Sequence, residues 1–345
     1  MNVTVRQRAD SRASGATASI LGEGVLNVKK ENGWTSHDVV AKLRRVLGTR
    51  RVGHGGTLDP DAVGVLPVLV GRGTRIAEYL LEWDKEYRAV LRLGETTDTQ
   101  DASGVVLARR STDGLRECDV LAVLPRFEGA VRQTPPMFSA VKIKGVPLYR
   151  EARAGRTVTR EPRAIIVHRL ECLGMTGRDV TLRIRCSKGT YVRTLCADIG
   201  EALGVGGHLL ELERTRVGPL AVHEALTVAE IVTLAAEGTI AEHAWSLDET
   251  LAWMPAVAVG SAGVRKIMHG AHVSMEDAGE DTRARAQAWP DMQLVRLKDQ
   301  RERLLAVGRW HADTGAGSGP AGPDPRSGCL AVEKLLVDQQ ATDTV

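Results

Sequence analysis

Apolar residues recur at helical spacing through "WTSHDVVAKLRRVLG", where Val39, Val40, Leu43, Val46 and Leu47 share one face. Thr35 or Ser36 can cap this helix, and Gly48 ends it. "LPVLVG", residues 66–71, is a continuous apolar run of strand length. "TRIAEYLLEW" predicts a helix capped by Thr74, with Ile76, Tyr79, Leu80 and Trp83 inward. "YRAVLRLG" alternates, placing Tyr87, Ala89, Leu91 and Leu93 on one face; "DVTLRIRC" does the same with Val180, Leu182, Ile184 and Cys186. After "SKGT" a helix runs through Val192, Leu195, Cys196, Ile199 and Leu203. Strands and helices mix without a regular βαβ repeat, which predicts an α+β fold rather than a doubly wound sheet.

Elsewhere the pattern fades or changes. Residues 1–20 are small and polar with no period and read as a flexible N-terminal tail. Residues 132–163 are rich in Pro, Gly and Arg with little period, the mark of a functional or disordered insertion. Beyond about 250, "PAVAVGSAGVRKIMHGAHV", "MQLVRLKD", "RLLAVGRW" and "CLAVEKLLV" read as short strands of a small β-barrel. The stretch 311–328, "HADTGAGSGPAGPDPRSG", has the composition of a flexible loop.

At 345 residues the chain exceeds the usual size of one core, so two units are expected. Apolar residues at 43% and charged residues at 26% are ordinary globular values. The formal net charge of +3 alone says little about partners, but its distribution says more. Lys42, Arg44, Arg45, Arg50 and Arg51 form one basic run. Lys142, Lys144, Arg150, Arg153, Arg156, Arg160 and Arg163 form another, against Glu151 and Glu161. Such patches fit a local nucleic-acid footprint or a plain solvated face. The five cysteines are scattered without a C-x-x-C pair, which points to a reducing compartment and no structural zinc. His269 and His272 form an H-x-x-H without an evident third ligand, so no metal is expected. No apolar stretch has membrane-spanning length, and the N-terminus lacks a secretory core, so a soluble cytoplasmic protein with no membrane contact is expected.

In "GHGGTLDP", Pro60 biases Asp59 toward extended backbone, while Gly53, Gly55 and Gly56 permit a sharp turn and close approach of a ligand. An Asp-Pro surface turn is the leading explanation of the octamer taken alone. No G-K-[ST] follows the glycines, which argues against a phosphate loop.

"GHGGTLDP", "KEYR", "SKGTYVRTLCADIGEALG" and "HLLELERT", in this order, closely resemble the bacterial TruB family of tRNA pseudouridine-55 synthases. The resemblance spans about Val25 to Val222. It implies a mixed, mainly antiparallel sheet flanked by helices over 21–250, with 132–163 as an RNA-gripping insertion and 251–340 as a PUA-like RNA-binding barrel. The implied reaction breaks the N-glycosidic bond of one uridine in the T-arm loop of tRNA and rejoins the base through C5, with no cofactor. Asp59 matches the catalytic aspartate and Arg193 its partner, a guanidinium that keeps a carboxylate ionised. Tyr87 matches the tyrosine that stacks on the base, and Tyr191 and Leu212 the residues lining the uracil pocket. His54 matches the histidine that supports the loop once the uridine is flipped out. Asp101 fits a position at the rim, where an Asx turn is the other explanation.

Arg150 and Arg153, within the insertion, are implied contacts to T-arm phosphates. Lys30 and Gly33 match a pattern near the cleft, but Glu31 stands where proline is usual, and Gly55 replaces a common threonine. The resemblance implies a monomer with no obligatory protein partner. Two other readings stay open: an RNA-guided synthase of the same superfamily, and a tRNA folding factor whose catalysis is incidental.

Overall fold

The structure, a computed structural model, describes residues 20–139, 141–143, 145–156, 158–279, 282, 285–286, 288–312 and 328–338. All of the predicted tail but Ile20, and most of the predicted 311–328 loop, lie outside the described residues.

The chain opens with β1 (Gly24–Lys30), α1 (Ser36–Val46), β2 (Val52–His54) and β3 (Val63–Val70), then a 3-10 turn over Gly71–Ile76 and α2 (Ala77–Leu81). β4 (Lys85–Leu93) is followed by β5 (Glu95–Thr97), β6 (Val106–Arg109), α3 (Glu117–Val123) and β7 (Gly129–Gln133). Next come β8 (Lys142–Ile143), β9 (Val146–Pro147), α4 (Leu148–Arg153), β10 (Arg163–Thr176), β11 (Asp179–Cys186) and α5 (Val192–Ala202). β12 (Gly207–Val217), β13 (Leu220–Ala221), β14 (Leu226–Thr227), α6 (Val228–Glu237) and α7 (Leu247–Thr250) complete this part.

The periodic segments form as their patterns predict. α1 starts at the Thr35 cap, whose side chain accepts from the Asp38 amide while Asp38 returns a bond to the Thr35 amide, a reciprocal pair that satisfies two orphan donors. α2 differs from its prediction. Thr74 sits inside the 3-10 turn and donates its hydroxyl to Gly71 O at 2.9 Å, so it caps nothing, and the α-helix begins only after Ile76. The 132–163 stretch, predicted without period, carries the β8–β9 hairpin and α4, with Leu148 fully buried.

Ten strands form one sheet in the order β14-β1-β3-β12-β4-β11-β10-β7, with β13 on β12 and β2 on β3. Only β1–β14 and β3–β12 pair in parallel, so the sheet is mixed and mainly antiparallel. Three clusters of buried side chains cover it, one of them shared with the C-terminal part. Val28, Val39, Leu43, Leu66 and Ile231 pack α1 and α6 onto β1 and β3. Ala89, Leu91, Leu182, Ile184, Leu195 and Ile199 pack α5 onto β4 and β11. The two halves meet at a narrow seam, where β3 and β12 pair only at Glu213↔Val63 and Arg214↔Gly64. Gly64 makes that approach possible: it has φ +102°, and a Cβ there would lie 2.3 Å from Arg214 O.

The C-terminal part contains β15 (Ala256–Ala258), α8 (Ser261–Met268), β16 (Val273–Ser274), β17 (Leu294–Lys298), β18 (Leu304–His311) and β19 (Cys329–Leu335). Its five strands form a half-barrel sheet in the order β15-β17-β18-β19-β16. The segment after Val259, predicted as strand, is the helix α8. Its interior Gly263, a poor helix former, is there for contact: a Cβ would lie 2.8 Å from Val259 Cβ.

Candidate active site

The loop between β2 and β3 carries Asp59 at the seam of the sheet, and most of its backbone groups are held. Gly55 N donates to Pro67 O at 2.8 Å. Arg214, on β12 and only 2% exposed, donates Nη2 to Gly56 O at 3.0 Å, Nη1 to Thr57 O at 3.2 Å and Nε to Val65 O at 2.7 Å. Ser36, the first residue of α1, bridges Leu58: its hydroxyl accepts from Leu58 N at 2.9 Å and donates to Leu58 O at 3.1 Å. Lys30, fully buried at the end of β1, donates Nζ to Pro60 O at 2.8 Å, Trp34 O at 2.6 Å and Glu31 O at 3.0 Å. Burial lowers the Lys30 ammonium to about 8, with Asp61 and Asp59 opposing. Gly33 N also reaches Pro60 O at 3.1 Å, so the turn closes with Glu31 in place of proline. A Cβ at Gly55 would meet Leu80 Cβ at 3.1 Å, so the absence of threonine there goes with a close approach of Leu80.

Arg193 enters from the first turn of α5. Its Nη2 is 2.9 Å from Asp59 Oδ2 and its Nη1 is 3.1 Å from Asp101 Oδ2, with only 8% of the side chain exposed. Desolvation raises the Asp59 carboxyl above its ordinary value, and Arg193 pulls it back toward the ionised form. Asp101 combines both roles considered for it. Its Oδ1 accepts from Thr99 Oγ1 at 2.6 Å, Ser103 N at 3.1 Å and Ser103 Oγ at 2.6 Å, forming the Asx turn, while Oδ2 faces Arg193. Thr194 and Gln100 join α5 to the same loop through a 2.8 Å side-chain bond.

A cavity of about 880 Å³ opens over this network. Its wall brings together Asp59, Asp101, Arg193 and Leu212 with Asp61, Arg88, Val90, Phe138, Glu211 and Glu213. His54, Tyr87 and Tyr191 are not in that wall. His54, half-buried, accepts from Gly56 N at 3.4 Å, and burial with nearby Arg214 lowers its pKa, which keeps the ring neutral. The Tyr87 ring belongs to the core against α5; burial raises its pKa, with nearby Arg214 opposing. Tyr191 caps the N-terminus of α5, and its backbone is held by Gln133. Arg150 is exposed on α4; the Arg153 side chain lies outside the described residues. Sequence reasoning missed Arg214, Ser36 and Gln133 as parts of this arrangement. Arg214 stands inside the quoted "HLLELERT", while Ser36 was weighed only as a cap.

Away from the cleft, His272 Nδ1 is 3.5 Å from Cys329 Sγ, and His269 Nδ1 meets Arg265 O at 2.8 Å. Among the described residues no group of three His, Cys, Asp or Glu side chains could hold a metal ion. No described helix is long and apolar enough to cross a membrane.

Residues 44–192 match the family model of the TruB family pseudouridylate synthase N-terminal domain, and residues 193–254 that of the tRNA pseudouridylate synthase B C-terminal domain. The chain is 45% identical over 262 residues to tRNA pseudouridine synthase B of Thermobifida fusca, covering 74% of this chain and 87% of that protein. With the Symbiobacterium thermophilum protein of the same name it shares 46% over 263 residues, 75% and 86% of the two chains. Among solved structures it resembles the archaeal box H/ACA sRNP Nop10–Cbf5 complex, with TM-score 0.68 and 27% identity over 94% of this chain and 89% of that one. A Cbf5–Nop10–Gar1 complex gives TM-score 0.69 and 28% identity over 94% and 88%. With these models matching residues 44–254 and 45% identity over 74% of its length to a named member, the chain belongs to the TruB family of pseudouridine synthases.

Proposed function

We propose that this chain converts uridine 55 in the T-arm loop of tRNA to pseudouridine, acting alone and with Asp59 as the catalytic group. The observation that carries the reading is the buried Arg193 set between Asp59 and Asp101 at the mouth of a cavity, in a chain of this family. The reaction is an isomerisation: the C1′–N1 bond breaks, a C1′–C5 bond forms, C5 gives up its proton and N1 gains one. Nothing is oxidised and no group leaves, so no cofactor is required. An ionised Asp59 serves either as nucleophile toward the nucleoside or as base toward the sugar.

The cavity wall supports a substrate whose uracil and ribose enter while its phosphates stay outside. Five acids, Asp59, Asp61, Asp101, Glu211 and Glu213, face two cations, Arg88 and Arg193, so a phosphate is repelled while an uncharged uracil is not. That arrangement suits a flipped nucleotide whose phosphates stay outside. In this reading Leu212 bounds the base, His54 stands beside the gap left in the RNA, and stacking by Tyr87 and enclosure by Tyr191 require those side chains to move, since neither lies in the wall. Arg150 and Arg153 of the insertion grip T-arm phosphates, as does the run from Lys42 to Arg51. Lys42, Arg45, Arg50 and Arg51 are exposed or half-exposed and form no ion pair with a described residue. We assign residues 21–250 to the catalytic unit and 251–340 to a PUA-like RNA-binding unit, in a cytoplasmic monomer without an obligatory protein partner.

The likeness to Cbf5 structures favours a second reading, an RNA-guided enzyme, but the identity to proteins named tRNA pseudouridine synthase B is higher. Mapping pseudouridine in an unmodified tRNA transcript incubated with the purified chain tests both. Pseudouridine at position 55 is expected without any guide. Modification elsewhere overturns the substrate, and activity only with a guide RNA overturns the stand-alone assignment. A role solely in tRNA folding predicts that an Asp59→Asn chain keeps every function.

A further inference from the structure

The basic insertion leaves the sheet through one pinched stem. β7 ends at Gln133, which stands opposite Arg163 in the β7–β10 register. Arg132 Nη2 donates to Pro162 O at 3.2 Å and Arg160 Nη1 to Pro135 O at 2.9 Å, closing the stem. Gln133 turns away from the insertion and is 4% exposed. Its side-chain amide makes both of its bonds to one residue of another element: Nε2 donates to Tyr191 O at 3.0 Å, and Oε1 accepts from Tyr191 N at 2.8 Å. This copies the double exchange between paired strands, with a side chain in place of one backbone.

Tyr191 is where α5 begins. The helix has no side-chain cap, and Tyr191 O also accepts the first helical bond, from Leu195 N at 3.1 Å. A start displaced by one residue would rotate the side chains by about 100° about the helix axis. Arg193 lies two residues on, in the first turn, where the helix dipole disfavours a cation. Its place between Asp59 and Asp101 therefore depends on how the start of α5 is anchored.

We propose that Gln133 is a positioning residue of the active site, tying the stem of the basic insertion to the start of α5 and so holding Arg193 on Asp59. It is not among the residues of the cavity wall and takes no part in bond making. The proposal rests on the reading of Asp59 and Arg193 as the catalytic pair. It makes the stem of the RNA grip and the catalytic ion pair share one anchor.

The test uses the full-length chain and tRNA transcript, with Gln133→Leu, which removes both bonds, and Gln133→Glu, which keeps an acceptor but sets an oxygen against Tyr191 O. In single-turnover assays at saturating tRNA, Q133L should be slower by about tenfold or more, a loss comparable to a displaced catalytic contact. Its tRNA affinity should stay within about twofold, since no phosphate contact is removed. The acid limb of its rate profile should move to higher pH, because Asp59 with a loosened Arg193 protonates more readily. Q133E should show the same changes to a smaller degree. Wild-type rate and an unmoved acid limb in Q133E overturn the proposal even where Q133L fails to fold. A lowered melting temperature with an unmoved limb also overturns it, because that is the signature of a merely structural bond. Hydrogen exchange in residues 191–195 should accelerate in both variants; unchanged exchange beyond Tyr191 itself overturns the anchor whatever the substrate. A wild-type chain that leaves tRNA unmodified would refute the tRNA reading, while the exchange experiment would still decide the anchor.

Discussion

The loop around Asp59 and the basic insertion face the same cavity but are built in opposite ways. From Gly55 to Pro60 the loop backbone is gripped by Pro67, Arg214, Ser36 and Lys30, contributed by β1, α1, β3 and β12. The insertion has a short hairpin, a six-residue helix and a largely exposed surface, with Glu151 and Arg156 paired to each other rather than to the core. Bond making needs atoms held to a fraction of an ångström, and buried donors on backbone carbonyls provide that. In the proposed reading, holding folded RNA needs reach and charge, and exposed arginines such as Arg150 and Arg156 on a slender stem would supply them. Each half should therefore fail in its own way.

The largest effect is expected from Asp59→Asn. Single-turnover pseudouridine formation should fall by at least about 10⁴-fold, as for loss of an essential catalytic group. Binding of tRNA, measured by filter retention, should stay within a few-fold. Strong weakening of binding would erase the division between chemistry and grip.

Arg193→Met should cost about 10²–10³-fold in rate at neutral pH, the usual scale for losing a preorganised electrostatic contact. Desolvation already raises Asp59, and Arg193 opposes it. Without Arg193 the carboxyl should protonate at higher pH. The rate needs the carboxylate, so it should fall away from a higher pH as the solution is acidified, which a pH–rate series reads directly.

Charge reversal at Arg150, Arg153 and Arg156 should do the converse. Affinity should drop by about tenfold or more at moderate salt, and the slope of log affinity against log salt should flatten by about two to three contacts. The rate at saturating tRNA should hold within about threefold if the grip contributes no chemistry.

The smallest effect concerns Lys30. Its folded pKa of about 8 lies below the ordinary 10.5, so between those values the unfolded chain binds more protons than the folded one. The contribution of this group to stability should therefore rise with pH across that window. Denaturant unfolding of wild type and Lys30→Met at pH 7.5 and 10 should show the difference growing in favour of wild type. A constant difference would mean that the ammonium is better solvated than its burial indicates.

Much of the fold was legible because α1, β4, β11 and α5 bury one face each, and burial of one face leaves a period in the sequence. That Asp59, Arg193 and Asp101 lie together was expected from the motifs that resemble the family, and the structure does place the three side chains in contact. Arg214, Ser36 and Gln133 were not legible, for a shared reason. Their partners are backbone groups, which any residue supplies, and they lie 149 to 158 residues away for Arg214, 22 for Ser36 and 58 for Gln133. α8 was misread because Gly263 obeys the needs of a neighbouring side chain rather than those of its own helix.

The half-barrel sheet has one further consequence, for anyone who would cut it away. Val307 and Leu336 share a buried cluster with Val25, Val65, Ile76, Leu80 and Met254, and Arg75 donates to Leu335 O at 2.7 Å. A chain ending near residue 255 would strip Val307 and Leu336 from that cluster and expose part of its apolar surface, and exposed apolar surface drives association. Truncation should yield a product that aggregates during expression, and the C-terminal strands thus serve as the lid of the catalytic core as well as a unit of their own.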